Sequence, residues 1–316
     1  MIPAPQQKNW NPRLREYENL AKDEDFQLCM RDMVERTGIT EEGLRDMFVS
    51  EGRPRMEVYQ EFAKCFVPKS VDPIHNYELY EIAGDYALNK STFGYLFRIL
   101  FPLLSAKGSP QALSYMDVVK AYYISKKFYS QLPIQLGLTE FLHRVCYDNE
   151  AIDRFLTSKK IEDLYEDSME AFIGCLELQI DRYVGMHRGY VFVANFVFDL
   201  LESMNLNFHP SFFWESARLL KETNDMITAH NRNTAQKLPQ YTIGNMGRDF
   251  VVKVFIPDQK EFISRDFEPM SIGDKKAAEA HFAPLILDKL RKDSRYQLLI
   301  KRGPTPEELG IESLFR

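Results

Sequence analysis

The sequence predicts a mostly α-helical protein, with an all-α first region and a small α+β module towards the carboxyl end. Between about Leu14 and Ala194, apolar residues recur at three- and four-residue steps, the period of a helix that buries one face. The segment 250–256, FVVKVFI, is rich in β-branched and aromatic residues and is the first convincing strand. With 316 residues, 45% of them hydrophobic, the chain is long enough for two cores of ordinary size.

Helices in the first region are separated by glycine and proline at Gly52, Pro68 and Gly108. One helix begins at Thr40, because a threonine followed by two glutamates is a typical helix start. The other predicted helices cover residues 56–66, 77–97, 114–130, 138–147 and 161–180.

The pattern changes after about Asn205. Residues 210–227 have the spacing of a helix, and a polar stretch then leads to the strand 250–256. A weaker strand candidate is 261–267, and Gly273 opens a last helix. A helix, strands and a helix in close succession predict an α+β module.

Composition limits the function classes. The 40 Lys and Arg against 46 Asp and Glu leave a net charge of -6, which by itself does not favour a nucleic-acid partner. The four cysteines, at positions 29, 65, 146 and 175, lack zinc-site spacing, so buried free thiols are expected. Neither a signal peptide nor a run of about 18 apolar residues is present, which predicts a cytoplasmic or nuclear protein without a membrane span.

Two predicted helices carry rows of carboxylates. In 77–89, YELYEIAGDYALN, the acids are three and four residues apart and therefore share one helix face. These acids are Glu78, Glu81 and Asp85. In 160–178, KIEDLYEDSMEAFIGCLEL, the second row consists of Asp163, Glu166, Asp167 and Glu170.

Small residues accompany both rows: Ala83 and Gly84 in one helix, Ala171 and Gly174 in the other. Because small residues let two helix backbones approach closely, the two acidic edges are expected to meet at one crossing. Converging carboxylates suit Mg²⁺ or Mn²⁺, and the lack of His and Cys among them disfavours zinc. A pair of such ions roughly 4 Å apart is a recurrent arrangement for phosphodiester hydrolysis. Taken alone, these residues are equally well explained as solvated acidic helix faces.

Both acidic segments resemble signatures of the ribonuclease III family. The first signature, N-E-R-L-E-F-L-G-D-x-x-L, is matched by Glu78, Glu81, Gly84, Asp85 and Leu88, with departures at Tyr77, Leu79 and Ala83. The second, D-x-x-E-A-L-I-G, is similar to residues 167–174, DSMEAFIG. Ahead of them, CFVPKS from Cys65 faintly resembles the family's A-L-T-H-x-S.

The resemblance implies an all-α endonuclease domain that forms a homodimer and cuts double-stranded RNA. Mg²⁺, for which Mn²⁺ can substitute, would be held by Glu81, Asp85, Asp167 and Glu170. Asp85 and Glu170 would be the catalytic pair, with Glu78 as an accessory acid. The family often has one more glutamate between the motifs. Here no acid precedes Asp117 within 103–117, so that role is empty or reassigned.

The carboxyl-terminal module resembles a double-stranded RNA-binding domain with the order α-β-β-β-α. Lys275 and Lys276 match the K-K-x-A-E start of that domain's last helix, where lysines contact phosphates of the duplex. Glu222 matches an acidic contact of the first helix. Arg248 lies in a short segment, 244–249, where the family has a longer loop with a histidine.

The resemblance divides the chain into an N-terminal extension (1–25), a catalytic domain (26–208), an RNA-binding domain (209–302) and a tail (303–316). Cleavage is expected to leave 5'-phosphate and 3'-hydroxyl ends, without activity on DNA. The alternatives are a non-catalytic scaffold that binds duplex RNA and an unrelated helical protein with solvated acidic faces. Residues 238–302 carry 12 Lys and Arg and 9 Asp and Glu, a net +3, so only modest duplex affinity is expected.

Overall fold

A computed structural model describes residues 16–108, 111–147, 161–213, 216–257, 259, 261–271 and 275–315. The chain forms two compact units: Met1–Pro102 with Met116–Leu206, and Leu103–Tyr115 with Asn207–Arg316. It is mostly helical, as predicted, with a small antiparallel sheet near the carboxyl end. Residues 1–15 of the predicted N-terminal extension lie outside the described part. Among the described helices, none combines the length and apolarity needed to cross a membrane.

The described helices before residue 204 are α1 (Glu16–Ala21), α2 (Glu24–Glu35), α3 (Glu41–Phe48), α4 (Met56–Lys64), α5 (Glu78–Lys107), α6 (Ala112–Tyr123), α7 (Lys126–Tyr129), α8 (Leu132–Gln135), α9 (Thr139–Tyr147), α10 (Ile161–Tyr183) and α11 (Gly189–Ser203). The predicted helix start at Thr40 is confirmed, because its side chain accepts a hydrogen bond from the Gly43 amide, 3.2 Å away. All four cysteines are free thiols; three are buried as expected, and Cys29 is half-buried.

Helix α10 occupies the centre of the first unit. It packs against α3, α4, α7, α8 and α11, and every residue from Asp167 to Leu176 is buried. Because neighbouring helices cover this middle part of α10, its polar residues are drawn into the interior together with its apolar ones. The two acids of the second motif, Asp167 and Glu170, are therefore buried carboxylates. This overturns the alternative of a solvated acidic face for that helix.

Two helix predictions were wrong in extent. Helix α5 continues past Phe97 through Pro102, because Leu100 and Leu104 are both buried and their packing offsets the lost hydrogen bond. The predicted helix 114–130 is two helices, since Ser125 caps α7 by accepting from the Phe128 amide.

A short hairpin interrupts the region predicted as all-α. Strands β1 (Val49–Ser50) and β2 (Arg53–Pro54) pair antiparallel. Their two-residue turn has positive φ at both Glu51 and Gly52, 52° and 71°, as the tightest right-twisted hairpins require. A sequence reading finds no strand here because each strand has only two residues.

The second unit contains α12 (Pro210–Phe213), α13 (Ser216–Asn233), β3 (Gln240–Met246), β4 (Asp249–Phe255), β5 (Phe262–Ile263), α14 (Lys275–Lys292) and α15 (Pro306–Leu309). The sheet order is β3-β4-β5, all antiparallel, and α13 and α14 pack against each other and against β3. The order of helix, three strands and helix is the predicted one. The tail begins α15 with a capping box between Thr305 and Glu308, as its sequence indicates.

The segment 244–249, interpreted above as a loop, is largely strand. Met246 pairs with Asp249, so only Gly247 and Arg248 form the turn. Gly247 has a φ of 64°, which a glycine adopts without strain. Strand β3 escapes prediction because its Gly244 and Asn245 have low β propensity, and pairing with β4 overrides it.

Candidate active site

The two acidic helices meet with their backbones in contact. A Cβ added to Gly84 of α5 would lie 1.6 Å from the carbonyl oxygen of Glu170. A Cβ added to Gly174 of α10 would lie 2.2 Å from the carbonyl oxygen of Tyr80. Both distances are impossible for real atoms, so only glycine fits at each position. The close crossing predicted from these small residues is confirmed.

At the crossing, carboxylates of both motifs lie close enough to Glu170 for their charges to change its pKa. Burial, followed by the negative charges of four carboxylates, raises the pKa of Glu170 to about 8. These carboxylates are Asp85, Glu166, Glu81 and Asp167. At neutral pH, Glu170 therefore carries a proton when no cation is bound. A divalent cation would displace that proton and offset the repulsion.

Asp167 is connected to the first motif through Tyr77. The buried Tyr77 hydroxyl donates a hydrogen bond to Oδ2 of Asp167 over 3.1 Å. Burial, followed by the charge of Asp167, raises the pKa of Tyr77, so the hydroxyl remains a donor. Tyr77 stands where the family signature has asparagine, so the signature assigns no role to a tyrosine at this position. The structure gives it a role in orienting a site carboxylate.

Asp85 is oriented from the other side of the site. The Asn89 amide donates to Oδ1 of Asp85 over 2.6 Å, and the Tyr129 hydroxyl donates to the Asn89 carbonyl over 3.0 Å. Tyr129 is buried, and its pKa is raised first by burial and then by nearby carboxylates including Glu170. Neither residue was identified from sequence, although Asn89 lies one turn after Asp85 and on the same helix face.

Lys126 is a fixed cation at the edge of this cluster. Its ammonium lies 2.8 Å from Glu166 and 3.2 Å from Asp163. Hydrogen bonding to Glu166 raises the pKa of Lys126. Burial raises the pKa of Glu166, and Lys126 opposes that change. Nothing in the sequence around Lys126 points to this contact, because the pairing joins residues about 40 positions apart in different helices.

The predicted accessory acid, Glu78, lies at the exposed start of α5. Its carboxylate pairs with Lys69 over 2.8 Å. Asp117, the acid that follows the gap between the motifs, is exposed on α6. Glu166 is instead the additional carboxylate beside Glu170, although the motif comparison did not assign it a role.

The donor chemistry fits a hard divalent cation: oxygen ligands, a buried protonated glutamate and an excess of negative charge. Within the described ranges, no three His, Cys, Asp or Glu residues already adopt the arrangement of a metal-binding group. A cation would therefore have to draw Glu81, Asp85, Asp167 and Glu170 together.

The residues predicted to contact RNA lie on three elements of the second unit. Lys275 and Lys276 are exposed on the first turn of α14, with Lys275 3.6 Å from Glu279. Arg248 is exposed in the turn between β3 and β4. Glu222 on α13 is half-buried and pairs with Arg218 over 2.9 Å.

Comparison with known proteins identifies two viral relatives, and no protein-family model matches the chain. A protein of Frog virus 3 (isolate Goorha), named "Putative ribonuclease 3", is 30% identical over 164 residues, which are 52% of this chain and 41% of that protein. A protein of Invertebrate iridescent virus 6 with the same name is 30% identical over 120 residues, 38% of this chain and 37% of that protein. The chain thus spans about two fifths of the length of these relatives. The matches support a distant relationship to ribonuclease III-like proteins.

Proposed function

We propose that this protein is an endoribonuclease that hydrolyses double-stranded RNA with Mg²⁺ and leaves 5'-phosphate and 3'-hydroxyl ends. The observation that carries the proposal is the buried Glu170, which lies among four carboxylates where two motif helices touch. Such a costly concentration of charge is typical of a functional site. The two viral relatives bear the name of a ribonuclease, which agrees with cleavage of RNA.

Glu81, Asp85, Asp167 and Glu170 would hold Mg²⁺, or Mn²⁺ in its place. When bound, Mg²⁺ supplies Lewis-acid chemistry, lowering the pKa of water and stabilising negative charge on the phosphodiester oxygens. Glu170 would have to be deprotonated to hold the cation. The hydroxyl of Tyr77 orients Asp167, and the amide of Asn89 orients Asp85.

The second unit would supply duplex binding. Lys275, Lys276 and Arg248 are exposed and would contact phosphates. Glu222 would contact the RNA from α13. Shape and 2'-hydroxyl contacts distinguish A-form RNA from DNA, so RNA is the expected partner. The module's net charge of only +3 predicts that the catalytic unit contributes part of the affinity.

A homodimer would form through the first half of α5. Leu79, Ile82 and Tyr86 are spaced on one face of this helix and are 75%, 75% and 70% exposed. Apolar side chains that follow one helix face and remain in water mark an interaction surface.

We expect the wild-type chain to sediment at twice its 37.0 kDa mass. The double substitution Leu79→Asn and Ile82→Asn should weaken dimerisation by at least ~10-fold, because it removes the apolar centre of the surface. Leu298→Asn, at a residue that is 95% exposed in the other unit, should leave the mass unchanged. Sedimentation of a wild-type monomer at all concentrations would contradict the proposed dimer.

A scaffold without catalysis is the second candidate, and Lys126 favours it. A lysine already paired with Glu166 and Asp163 neutralises part of the charge that a metal ion would otherwise balance. Such a site can be stable without any metal.

Incubation of an end-labelled RNA duplex with the wild-type chain separates the candidates. The proposed enzyme cleaves in Mg²⁺ or Mn²⁺, leaves 5'-phosphate ends, stops in EDTA and spares a DNA duplex of the same sequence. Salt-sensitive binding without cleavage would identify a scaffold. Absence of both binding and cleavage would indicate that the chain is an unrelated helical protein.

A further inference from the structure

A pocket of about 290 Å³ lies in the first unit between α2, the β1–β2 hairpin and α4. Its lining includes Leu28 and Arg31 from α2, Phe48 from α3, Arg53 from β2 and Tyr59 from α4. The volume is just below the roughly 300–1,000 Å³ range of small-ligand sites, which suits a small ligand. The carboxylates of the candidate active site do not line it.

Two guanidinium groups in this lining are uncommitted. Arg31 and Arg53 are both exposed, and neither guanidinium group has an ion pair or a hydrogen bond within the part of the chain that the structure describes. Arg53 is the first residue of β2, directly after the tight turn at Glu51 and Gly52, and it pairs with Ser50 of β1. Arg55 anchors the hairpin by donating to the carbonyl oxygens of Asp46 and Val49. The hairpin thus presents Arg53 on an anchored element.

Tyr59 provides a second, independent indication of a ligand. Only 2% of this residue is exposed, yet its hydroxyl has no hydrogen-bond partner among the described residues. Its oxygen is not fully buried and is reached by solvent from the pocket, so a phosphate oxygen could take the place of water as its hydrogen-bond partner. Burial raises the pKa of Tyr59, so its hydroxyl keeps its proton and can donate a hydrogen bond. The positive charge of Arg31 opposes this rise, which shows that Arg31 lies close to the hydroxyl.

The chemistry of the lining selects one class of ligand. Two guanidinium groups and a hydroxyl donor suit phosphate oxygens, to which arginine binds in a planar, bidentate manner. Glu24 also lines the pocket and offers an acceptor. A bare anion would be repelled by Glu24, whereas a ligand with its own N–H or O–H groups would be held by it.

We propose that this pocket binds a nucleotide unit, with its phosphate on Arg31, Arg53 and the Tyr59 hydroxyl and its base or ribose donors on Glu24. The phosphate can belong to a free mononucleotide or to the 5' end of an RNA strand. The site is separate from the acidic cluster and goes beyond the proposed nuclease activity.

Calorimetric titration in EDTA tests this proposal without involving a metal-dependent step. The probes are adenosine and uridine 5'-monophosphates, adenosine, inorganic phosphate, and a short single-stranded RNA with and without a 5'-phosphate. The Arg31→Ala and Arg53→Ala double variant should lower the affinity at least ~20-fold, and Tyr59→Phe about 3- to 10-fold. The matched control is Arg45→Ala, since Arg45 is exposed on α3 and does not line the pocket.

Saturable binding of a mononucleotide supports the proposal and identifies a free nucleotide as the ligand. Binding of the 5'-phosphorylated RNA alone also supports the proposal and identifies the 5' end of an RNA strand as the ligand. Both results require the losses in the pocket variants, with unchanged melting temperatures and an unaffected Arg45→Ala control. The proposal is overturned if no phosphorylated probe binds at millimolar concentration, if inorganic phosphate or adenosine binds as tightly as the nucleotides, or if the variants match the control.

Discussion

Replacing Glu170 with glutamine should lower Mg²⁺-dependent cleavage of duplex RNA by about 1,000-fold or more, because about 4 kcal/mol of transition-state stabilisation depends on a fully charged ligand set. Glutamine keeps the volume and the polarity of the side chain but cannot become an anion. The measurement is single-turnover cleavage of an end-labelled duplex in saturating Mg²⁺. The control is Glu162→Gln, an exposed glutamate on the same helix, which should cleave at the wild-type rate.

The same substitution should stabilise the metal-free protein at alkaline pH. The pKa of Glu170 is about 8 in the folded chain, against about 4.3 in an unfolded one. Between these values only the folded chain retains the proton, so its free energy of unfolding falls as pH rises and levels off above about pH 8. Glutamine has no proton to lose and avoids this decline.

At pH 8.5 in EDTA, Glu170→Gln should therefore exceed the wild type in free energy of unfolding by about 2 to 5 kcal/mol, with little difference at pH 4. The upper value corresponds to a pKa of about 4.3 in the unfolded chain and about 8 in the folded one, and partial exposure to solvent lowers it. Urea unfolding across this pH range measures both proteins. Added Mg²⁺ should stabilise the wild type and have little effect on the variant. A wild-type protein whose stability does not decline between pH 5 and 8 would contradict the assigned environment of Glu170.

Gly84→Ala should destabilise the protein by at least about 3 kcal/mol, because the new methyl group would overlap the backbone of α10 and force the two helices apart. The loss should be visible in chemical unfolding, and cleavage should fall with it because the carboxylates of the two helices separate. Gly174→Ala should act in the same direction, since its methyl group would meet the carbonyl oxygen of Tyr80.

The matched control is Gly94→Ala, on the same helix as Gly84. A Cβ there would meet only the ring of Phe198, at an ordinary 3.7 Å. Alanine favours a helix over glycine by up to about 1 kcal/mol, so this variant should be equally or more stable than the wild type. Equal effects of Gly84→Ala and Gly94→Ala would show that the helices do not cross as described.

The elements that sequence predicts well are those whose signals are local. Thr40 and Thr305 begin helices because their side chains bond amides three residues ahead. The acids of both motifs share helix faces because they are three or four residues apart. The glycines that accompany them indicate a close crossing, and the family resemblance rests on this same local pattern. For these reasons the mostly helical fold and the candidate acids could be predicted without coordinates.

Other features depend on residues that are distant in the chain. Strand β3 forms against its own weak propensity because β4 supplies its hydrogen-bond partners. Lys126 reaches Glu166 and Tyr77 reaches Asp167 only once the helices have packed. Likewise, the burial that raises the pKa of Glu170 comes from neighbouring helices that cover the middle of α10. Residue type and spacing determine which carboxylates the chain carries and on which helix faces they lie. Desolvation and long-range contacts, which exist only in the folded protein, determine how those carboxylates are charged and what holds them in place.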